Sequence, residues 1–547
     1  MIKKIFSNRI LNSGPSSSVV SAAFIITLAG LASRILGLFR DRLLASTFGA
    51  GDTLDAYYAA FRIPDLIYNL LILGALSAAF IPVFTGLISH EKEDEAWDLF
   101  NGVLNLAAIS IVVMSLFIAL FAPFITRLIT PGFSPEKMQI VVLFTRIMLL
   151  SPLFLGISGI MGGSLISFKR FLVYSIAPIM YNIGIIIGVL LFVKIWGPLG
   201  LAAGVVFGAL LHMLIQYPAA KNLGFKYKWS FGEAILNSNV KKVITLMIPR
   251  TIGIAVNQIN LLIITIFAST LAAGSLAIFS FAQNLQGVPL GLFGASFSIA
   301  VFPVLAGLAA KGEKENFVKT FSVTFRQILF FIIPLSVFIL VLRAQIVRVV
   351  LGAGKFDWED TILTFQALGI FALSLFAQGT IPLLARAFYA LHDTKTPFYI
   401  ALLTEIVNIS AVLLLIGRFK IIGLAVAFSL SAVIQMFLLL FVLRSRFDNL
   451  DDKNIIKFIA KIAPASVLAG LSIQLGKYIV APTIDLDTFI GVFVQLAVSS
   501  LVGSSVFIAM CYALKLEEFF NFKQALTRKL FRGKQAIIED TADVSGI

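Results

Sequence analysis

Cysteine and histidine are almost absent from this chain, which has one cysteine, Cys511, and three histidines among 547 residues. A single cysteine cannot form an internal disulfide, and three histidines argue against a histidine-built metal site. The sequence also lacks a Walker loop, a nucleophile elbow and any metal-ligand spacing. These absences argue against an enzyme, and they predict a protein without a metal or an organic cofactor.

Charged residues are also scarce, at 13% of the chain, whereas 59% of the residues are hydrophobic and the mean hydropathy is +0.98. Soluble proteins contain about 25% charged residues. The 51 phenylalanines suit surfaces that face lipid, and the 40 glycines suit close contacts between helices in a membrane. The composition therefore predicts an all-α polytopic membrane protein.

Apolar runs long enough to cross a bilayer, about 20 residues each, recur along the whole chain. The first run follows a basic N-terminus but has no convincing cleavage site, so we predict an uncleaved first helix rather than a signal peptide. We predict about fourteen spans in total. They lie near residues 18–44, 54–86, 100–122, 139–166, 171–194, 198–217, 238–270, 275–309, 320–350, 361–390, 396–416, 421–444, 456–480 and 486–514.

The formal net charge of +15 could indicate binding to nucleic acid, but the basic residues lie between the apolar runs and in the tail. Lys3, Lys4 and Arg9, the segment 218–243, and the tail from Lys515 to Lys534 all fall on one predicted side. Because basic loops stay in the cytoplasm, this pattern predicts that both termini are cytoplasmic. It argues against a nucleic-acid partner.

The chain repeats itself. AAFIPVFTGL at 78–87 is similar to IAVFPVLAGL at 299–308, and SRILG at 33–37 is similar to PRTIG at 249–253. Six spans in each half give both copies the same orientation, which is typical of a parallel-repeat transporter. In such folds the cargo site lies between the two halves.

The repeat, the loops and the tails together predict six regions. They are a cytoplasmic N-terminal tail at 1–17, an N-lobe at 18–217, a cytoplasmic linker at 218–237, a C-lobe at 238–444, a final pair of helices at 456–514 and a basic cytoplasmic tail at 515–547. The aromatic and basic residues of that last tail predict an amphipathic helix on the inner leaflet.

Helix-breaking residues recur at matching positions of the two halves, where Pro64 pairs with Pro289 and Pro82 with Pro303. Matched breaks can mark the cargo site and the hinges of a transporter, or they can simply kink long membrane helices. The candidate hinge residues are Gly37, Pro64, Pro82, Gly253, Pro289 and Pro303.

The first two predicted helices carry charged residues inside the apolar zone, where each charge costs about 2.5 to 3.5 kcal/mol unless it has a partner, a wet cavity or a function. Arg34 and Asp41 are seven residues apart and share a helix face, so a salt bridge between them is available. For Arg34 and Arg62 we favour a role in a cavity, faced by Arg250, the repeat mate of Arg34. Because guanidinium groups match phosphate oxygens, these arginines predict an anionic cargo.

Glu405 is an acidic residue inside a predicted span, with Asn408 three residues further along the same helix face. Such an acid can take up a proton or a monovalent cation that drives transport, or it can pair with a neighbouring basic group. Both interpretations stay open on the sequence.

Several segments resemble a known family. They are SRILGLFRDRLLASTFGAGDTLDAYYAAFRIPD at 33–65, GALSAAFIPVF at 74–84, TPGF at 130–133, APIMYN at 177–182, GAGKF at 352–356 and LLARAFYALHDTKTP at 383–397. Together they are similar to the MurJ (MviN) family of lipid II flippases in the MOP exporter superfamily. The resemblance extends over nearly the whole chain, including the final pair of helices.

The resemblance implies alternating access by two six-helix lobes, for delivery of lipid II to peptidoglycan synthesis. It also implies a central cationic cavity, and a groove for the undecaprenyl tail on the last two helices. Arg34, Arg40, Asp41 and Asp55 match functional positions of the family, and Arg62 matches a position that is basic in relatives. The chain departs from the family in two places. Where many relatives have arginine in the first lobe, the segment RIPDLIYN at 62–69 has Tyr68 and Asn69. Where relatives have an arginine in the second lobe, this chain has Asn284.

The cargo that this resemblance implies is lipid II, an undecaprenyl-diphosphate-linked disaccharide peptide, with membrane lipids as neighbours. We expect a monomer, with the cell-wall synthesis machinery as a candidate partner. Two alternatives remain open. The chain could export another lipid-linked oligosaccharide or an amphipathic drug, or it could be a transport-incompetent relative that acts as a membrane scaffold.

Overall fold

A computed structural model describes residues 19–73, 79–229, 232 and 237–531. The side chain of Arg250 and the surroundings of Gly253 lie outside this description, as do the N-terminal residues up to 18 and the tail beyond 531. The predicted roles of Arg250 and Gly253 therefore stay predictions.

Every regular element in the described ranges is helical, as the composition predicts. The α-helices are α1 (Val19–Phe48), α2 (Asp52–Tyr68), α3 (Ile81–Ser89), α4 (Glu93–Ile129), α5 (Pro135–Met148), α6 (Ser151–Ser167), α7 (Phe171–Ile187), α8 (Val193–Trp196), α9 (Leu199–Asn222), α10 (Ser238–Ser269), α11 (Ser275–Pro289), α12 (Ser296–Ala310), α13 (Lys314–Val350), α14 (Trp358–Ala390), α15 (Lys395–Phe447), α16 (Asp452–Val480), α17 (Phe489–Ala513) and α18 (Glu517–Phe531). π-Helical segments occupy Asn69–Leu73, Gly188–Phe192 and Leu290–Ala295.

The predicted spans coincide closely with these helices. Among the described residues, ten helical stretches are long and apolar enough to cross a membrane. One of them, α15, covers two predicted spans, and the three predicted spans outside this set coincide with α1, the region of α2 and α3, and α10. The predicted fold class, an all-α polytopic membrane protein, is confirmed.

Helix α15 is 53 residues long and changes direction at Lys420, whose φ of 49° and ψ of −128° are not helical. An unbroken helix of this length would be about 80 Å long, well beyond the roughly 30 Å of a hydrocarbon core. Gly423 lies close to this break, where a Cβ would come 2.8 Å from the carbonyl oxygen of Leu415. The break separates the predicted spans 396–416 and 421–444.

The internal repeat is visible in the lengths of the helices and in their breaks. Helices α4 and α13 both have 37 residues, and the stretches 135–167 and 358–390 both have 33. π-Helical segments follow the paired Pro64 and Pro289, at Asn69–Leu73 and Leu290–Ala295. π-Bulges are rare and occur often at functional sites. The paired Pro82 and Pro303 lie within the α-helices α3 and α12.

The chain forms two compact units. The first unit contains the described residues up to Asn284, together with Val350–Thr364 and Ile409–Leu424. Its core includes Phe80, Phe84 and Phe100. Helix α10 packs on α4 in this unit although the repeat assigns α10 to the second half of the chain. The predicted lobe boundaries stay a prediction.

The second unit contains Leu285–Val349, Phe365–Asn408 and the described residues from Ala425 onward. Its core is built around phenylalanines of α13, α14 and α16. The buried ones are Phe317, Phe321, Phe325, Phe330, Phe388 and Phe458.

Large apolar side chains also cover the outside of the helices. On α4, Leu116, Leu120 and Phe124 recur every four residues and are all exposed. Such a continuous apolar face is unfavourable in water and is typical of a helix that faces lipid.

The predicted amphipathic helix of the tail is present as α18. It is attached to the second unit, because the buried carboxylate of Glu518 forms an ion pair with Arg326 of α13. The Phe522 ring packs edge-on against Phe331, and Lys523 Nζ donates to the Tyr512 hydroxyl at 2.7 Å. The position of this helix on the inner leaflet stays a prediction.

Candidate functional site

Arg40 of α1 is the centre of a polar cluster inside the first unit. Its Nε and Nη2 donate to Oδ1 of Asp41 at 3.0 and 2.8 Å, and its Nη1 donates to Oδ1 of Asn182 at 3.0 Å. The Arg40 side chain keeps 21% of its exposure, whereas that of Asp41 keeps 3%. The guanidinium is therefore fixed on one side and still accessible on the other.

Asn182 of α7 holds Arg40 in this orientation. Its amide Nδ2 lies 3.1 Å from the Pro178 carbonyl and 3.3 Å from both the Ser33 carbonyl and the Ser33 hydroxyl, and it donates to these acceptors. Its Oδ1 is thereby turned toward Arg40. Gly37, a predicted hinge residue, lies beside this contact, because a Cβ there would come 3.8 Å from that oxygen.

Asn284, within α11, completes the cluster. Its Nδ2 donates to Oδ2 of Asp41 at 2.9 Å. Asp41, the partner that the spacing offers to Arg34, is thus paired with Arg40 and Asn284. Because one cation faces one anion and two neutral amides, the cluster carries no net charge.

Arg34 lies two turns before the cluster on the same helix and is half-buried. Arg62 is held separately, with its Nε donating to the hydroxyl of the buried Thr265 at 2.8 Å. The Nη2 of Arg62 is buried, and in the described part of the chain it has no hydrogen-bond partner.

Two other positions of the RIPDLIYN segment, Tyr68 and Asn69, have structural roles. Tyr68 packs against an apolar cluster that includes Ile67, Ile72 and Leu149. Asn69, the first residue of the π-helical segment, donates from Nδ2 to the Asp65 carbonyl at 2.7 Å.

Asp55 of α2 belongs to a second cluster and is 1% exposed. Its Oδ2 accepts from Lys137 Nζ at 2.7 Å and from the Gly274 amide at 2.8 Å, and its Oδ1 accepts from the Ala277 amide at 2.9 Å. The carboxylate therefore lies at the N-terminus of α11, where free backbone N–H groups and the helix dipole favour an anion. Lys137 also pairs with the exposed Asp52 at 2.7 Å.

The sequence did not identify Lys137 as a site residue. It follows the TPGF motif in an SPEK segment that is typical of an exposed helix start, yet its side chain is only 8% exposed. The TPGF motif was the only available signal. Phe133 of this motif lies beneath Lys137 Nζ, 3.9 Å from the ring centre.

Close backbone contacts surround the second cluster at the end where α1 meets α2. Gly274 has a φ of 86°, and a Cβ on it would overlap the carbonyl oxygen of Ala50. A Cβ on Gly354 of the GAGKF motif would likewise overlap the carbonyl oxygen of Ser46. The Lys355 amide donates to the Ser46 carbonyl at 2.9 Å, and the Ala50 amide donates to Asp360 at 2.9 Å. This end of the first unit is tightly closed, and we call it the closed end.

Glu405 and Asn408 lie together in the second unit, 7% and 1% exposed. Asn408 Nδ2 is 3.3 Å from Oε1 of Glu405, and the buried Asn408 Oδ1 has no hydrogen-bond partner among the described residues. The Ser431 hydroxyl donates to the neighbouring Thr404 carbonyl at 2.7 Å. The predicted pair is therefore adjacent, with an oxygen-rich surrounding.

Comparisons with known proteins agree with one another. A family model described as lipid II flippase MurJ matches residues 44–493. The chain is 28% identical over 504 residues to a probable lipid II flippase MurJ of Rickettsia prowazekii, covering 91% of this chain and 98% of that protein. It is 32% identical over 429 residues to a probable lipid II flippase MurJ of Haemophilus influenzae, covering 75% and 83%.

A solved structure described as lipid II flippase MurJ in an inward closed conformation has the same fold. Its TM-score is 0.73 at 24% identity, and the match covers 93% of this chain and all of that one.

Proposed function

This chain belongs to the MurJ family of lipid II flippases, and on that premise we propose that it moves lipid II outward across the bacterial cytoplasmic membrane for cell-wall synthesis. It is a multi-pass membrane transporter and not an enzyme. The basic loops favour an orientation with both termini in the cytoplasm.

The observation that carries the proposal is the Arg40 cluster together with Arg62. Each guanidinium is anchored by part of its donors, Arg40 on Asp41 and Asn182 and Arg62 on Thr265, while other donors remain. A diphosphate needs several such donors in fixed positions, because charge-assisted bonds gain strength from preorganised geometry. Arg34 and Arg250 would add charge, without a demand for a metal ion.

The closed end supports alternating access. The α1–α2 turn, the start of α11 and the GAGKF loop come from both halves of the repeat, and they are held by Asp55, Lys137 and backbone contacts. In the proposed orientation this end faces outward. Outward release of the cargo then requires Asp55 to leave the start of α11. The π-helical segments that follow Pro64 and Pro289 are the proposed hinges.

We assign the coupling step to Glu405 and Asn408. A buried carboxylate beside an amide oxygen offers hard oxygen ligands to a monovalent cation, and the carboxylate alone can take a proton. Helices α16 and α17 would hold the undecaprenyl tail. The proposed active form is a monomer.

The test is complementation of a bacterial strain depleted of its own flippase, with lipid II on the outer face of the membrane as the readout. We expect the chain to restore outward lipid II and Arg40→Ala to abolish it. Arg42→Ala is the matched control. It removes an arginine that lies two residues from Arg40 on the same helix, and it should leave transport intact.

Native mass spectrometry of copurifying lipids identifies the cargo independently. An undecaprenyl diphosphate species supports the proposal. Copurification of a different lipid-linked oligosaccharide, with no outward lipid II in cells that express the chain at normal levels, would assign it to another export reaction.

A further inference from the structure

Helices α4 and α13 are equivalent elements of the two halves of the repeat. Both have 37 residues, and each is followed by a stretch of 33 helical residues. Their sequences align without a gap over the full length. Identical residues at aligned positions include Ser115 and Ser336, Phe117 and Phe338, and Arg127 and Arg348. The two helices can therefore be compared residue by residue.

In the second unit, the final pair of helices covers one face of α13. A Cβ on Gly470 of α16 would come 2.5 Å from Cγ1 of Val337 and 3.7 Å from Cγ2 of Val341. A Cβ on Gly503 of α17 would come 3.2 Å from Cζ of Phe338. Glycine residues of α16 and α17 thus allow a close approach to this face, as is common between helices in a membrane.

The equivalent face of α4 is exposed. The residues of α4 that align with the covered set are Leu116, Phe117 and Leu120, which are 66%, 60% and 72% exposed. In the described chain, α16 and α17 follow only the second half of the repeat, so the first half has no counterpart of this pair. The face of α4 therefore has the position of a helix contact but lacks the covering helix.

A charged side chain lies beside this apolar face. Arg146 of α5 is exposed, and its Nε donates to the Ala119 carbonyl of α4 at 3.0 Å. That carbonyl accepts a donor from outside its own helix because Pro123, four residues later, has no N–H group. Both terminal nitrogens of Arg146 lack a partner in the part of the chain that the structure describes. The guanidinium is thus fixed at Nε, and its terminal nitrogens remain available.

The depth of Arg146 makes its charge costly in lipid. Ala119 and Arg146 lie ten and eleven residues from the helix ends at the turn 130–134. This corresponds to about 15 Å along each helix axis, or about half the thickness of the hydrocarbon core. A charged residue at such a depth normally pairs with an opposite charge. Arg127, only two residues from the end of α4, can instead extend to the headgroups.

A second copy of this chain does not offer the missing anion. In the described ranges, the carboxylates of the predicted spans other than Asp487, in the turn before α17, are Asp41, Asp55, Asp65 and Glu405, and none of these is exposed. The charge complement of Arg146 must therefore come from a different molecule.

We propose that the face formed by α4 and α5 binds a transmembrane helix of another membrane protein, which presents small residues to Leu116 and Leu120 and an acidic side chain to Arg146. This helix would occupy on α4 the position that α16 and α17 occupy on α13. A carboxylate accepts two parallel hydrogen bonds from the terminal nitrogens of an arginine, which fixes the register of the two helices. The interaction does not depend on the nature of the cargo.

The experiment places the full-length protein in phosphatidylcholine vesicles with synthetic transmembrane peptides. The probes are three peptides of leucine and glycine that differ only at the central position, which is glutamate, glutamine or leucine. Each peptide carries a photoreactive leucine analogue, so the yield of crosslinking gives the apparent affinity and mass spectrometry gives the site. We expect the glutamate peptide to crosslink to α4 and α5 and to bind about tenfold more tightly than the leucine peptide, the usual effect of one charge-assisted bond.

Arg146→Gln tests the arginine and keeps an N–H donor for the Ala119 carbonyl. This variant should bind the glutamate peptide about tenfold more weakly and the leucine peptide as before. Arg127→Gln is the matched control, because it removes an exposed arginine of α4 near the helix end, and it should leave both affinities unchanged. If Arg146→Gln does not fold, the comparison of the three peptides on the unchanged protein decides the question.

Three results would overturn the proposal. The first is equal affinity of the unchanged protein for the glutamate and leucine peptides, or crosslinks that map to helices other than α4 and α5. The second is an equal loss of glutamate-peptide binding in Arg127→Gln and Arg146→Gln. The third is loss of the preference for glutamate when phosphatidylglycerol is added to the vesicles, which would assign Arg146 to lipid phosphates.

Discussion

Two buried aspartates of the first unit, Asp41 and Asp55, are equally hidden from water but differently satisfied. Asp55 accepts from one lysine and two backbone amides, and all of its partners are fixed by helix ends. Asp41 accepts from Arg40 and from the amide of Asn284, and Arg40 itself stays partly exposed. The partners of Asp55 are all fixed, so its contact forms or breaks as a whole. Arg40 binds Asp41 but stays partly exposed, so it suits a site that binds a ligand.

Of the variants that test the difference between the Asp55 and Asp41 clusters, Lys137→Met should change the unfolding free energy most. Removing Lys137 leaves Asp55 charged and buried, which should lower the free energy of unfolding by about 3 to 5 kcal/mol. Unfolding by heat or denaturant in detergent measures this change. Asp52→Asn removes the exposed partner of the same lysine and should cost less than about 1 kcal/mol. Equal losses of unfolding free energy in Lys137→Met and Asp52→Asn would mean that the burial of Asp55 does not make its contact with Lys137 stronger than the exposed contact of Asp52.

Gly274→Ala tests the closed end itself. The new Cβ would overlap the Ala50 carbonyl at a residue with positive φ, so we expect a loss of about 2 to 3 kcal/mol and easier opening of this end. Gly312→Ala is the control, since Gly312 has a φ of 71° but no atom within 4 Å of a Cβ. Thermal unfolding gives the difference between the two variants, and labelling of a cysteine introduced at Thr47 reports the opening. Similar losses of unfolding free energy in Gly274→Ala and Gly312→Ala would show that the close contact between Gly274 and Ala50 adds nothing to stability.

Asn284→Ala addresses the other cluster and should have a smaller effect. It takes one of the partners from Asp41 while Arg40 stays, so the expected loss is about 1 to 2 kcal/mol in unfolding free energy. Asn316→Ala is a suitable reference, because Asn316 donates to the carboxylate of Glu313 on the surface and its removal should cost less than about 0.5 kcal/mol. An Asn284→Ala variant as stable as this reference would show that Asp41 does not depend on Asn284.

The fold was far easier to predict than these clusters. The spans follow from apolar runs that any helix in lipid requires, so the predicted segments and the observed helices differ mainly at their ends. The partners of Asp41 and Asp55 could not be predicted, because Asn284 and Gly274 are more than 200 residues away along the chain. Lys137 stands in a segment that is typical of an exposed helix start. Only packing shows that it is buried.

Asp393, between α14 and α15, provides the surface counterpart of the two buried aspartates. Burial alone would raise the pKa of this carboxyl, but hydrogen bonds from Thr396 and Arg446 outweigh burial and lower the pKa to about 2. Since the unfolded value is 3.8, the stabilisation is complete above about pH 4 and disappears as the pH falls toward 2.

We expect Asp393→Asn to cost less than about 1 kcal/mol near neutral pH, because its partner Arg446 is exposed to water. The difference in unfolding free energy between the unchanged protein and this variant should stay constant from pH 5 to pH 8, where the carboxylate remains ionised. A larger cost, comparable with that of Lys137→Met, would mean that the carboxylate's bonds to the start of α15, and not its exposure, determine the strength of the contact. Such a result would also weaken the distinction between Asp55 and Asp41, which rests on how completely each carboxylate is enclosed by fixed partners.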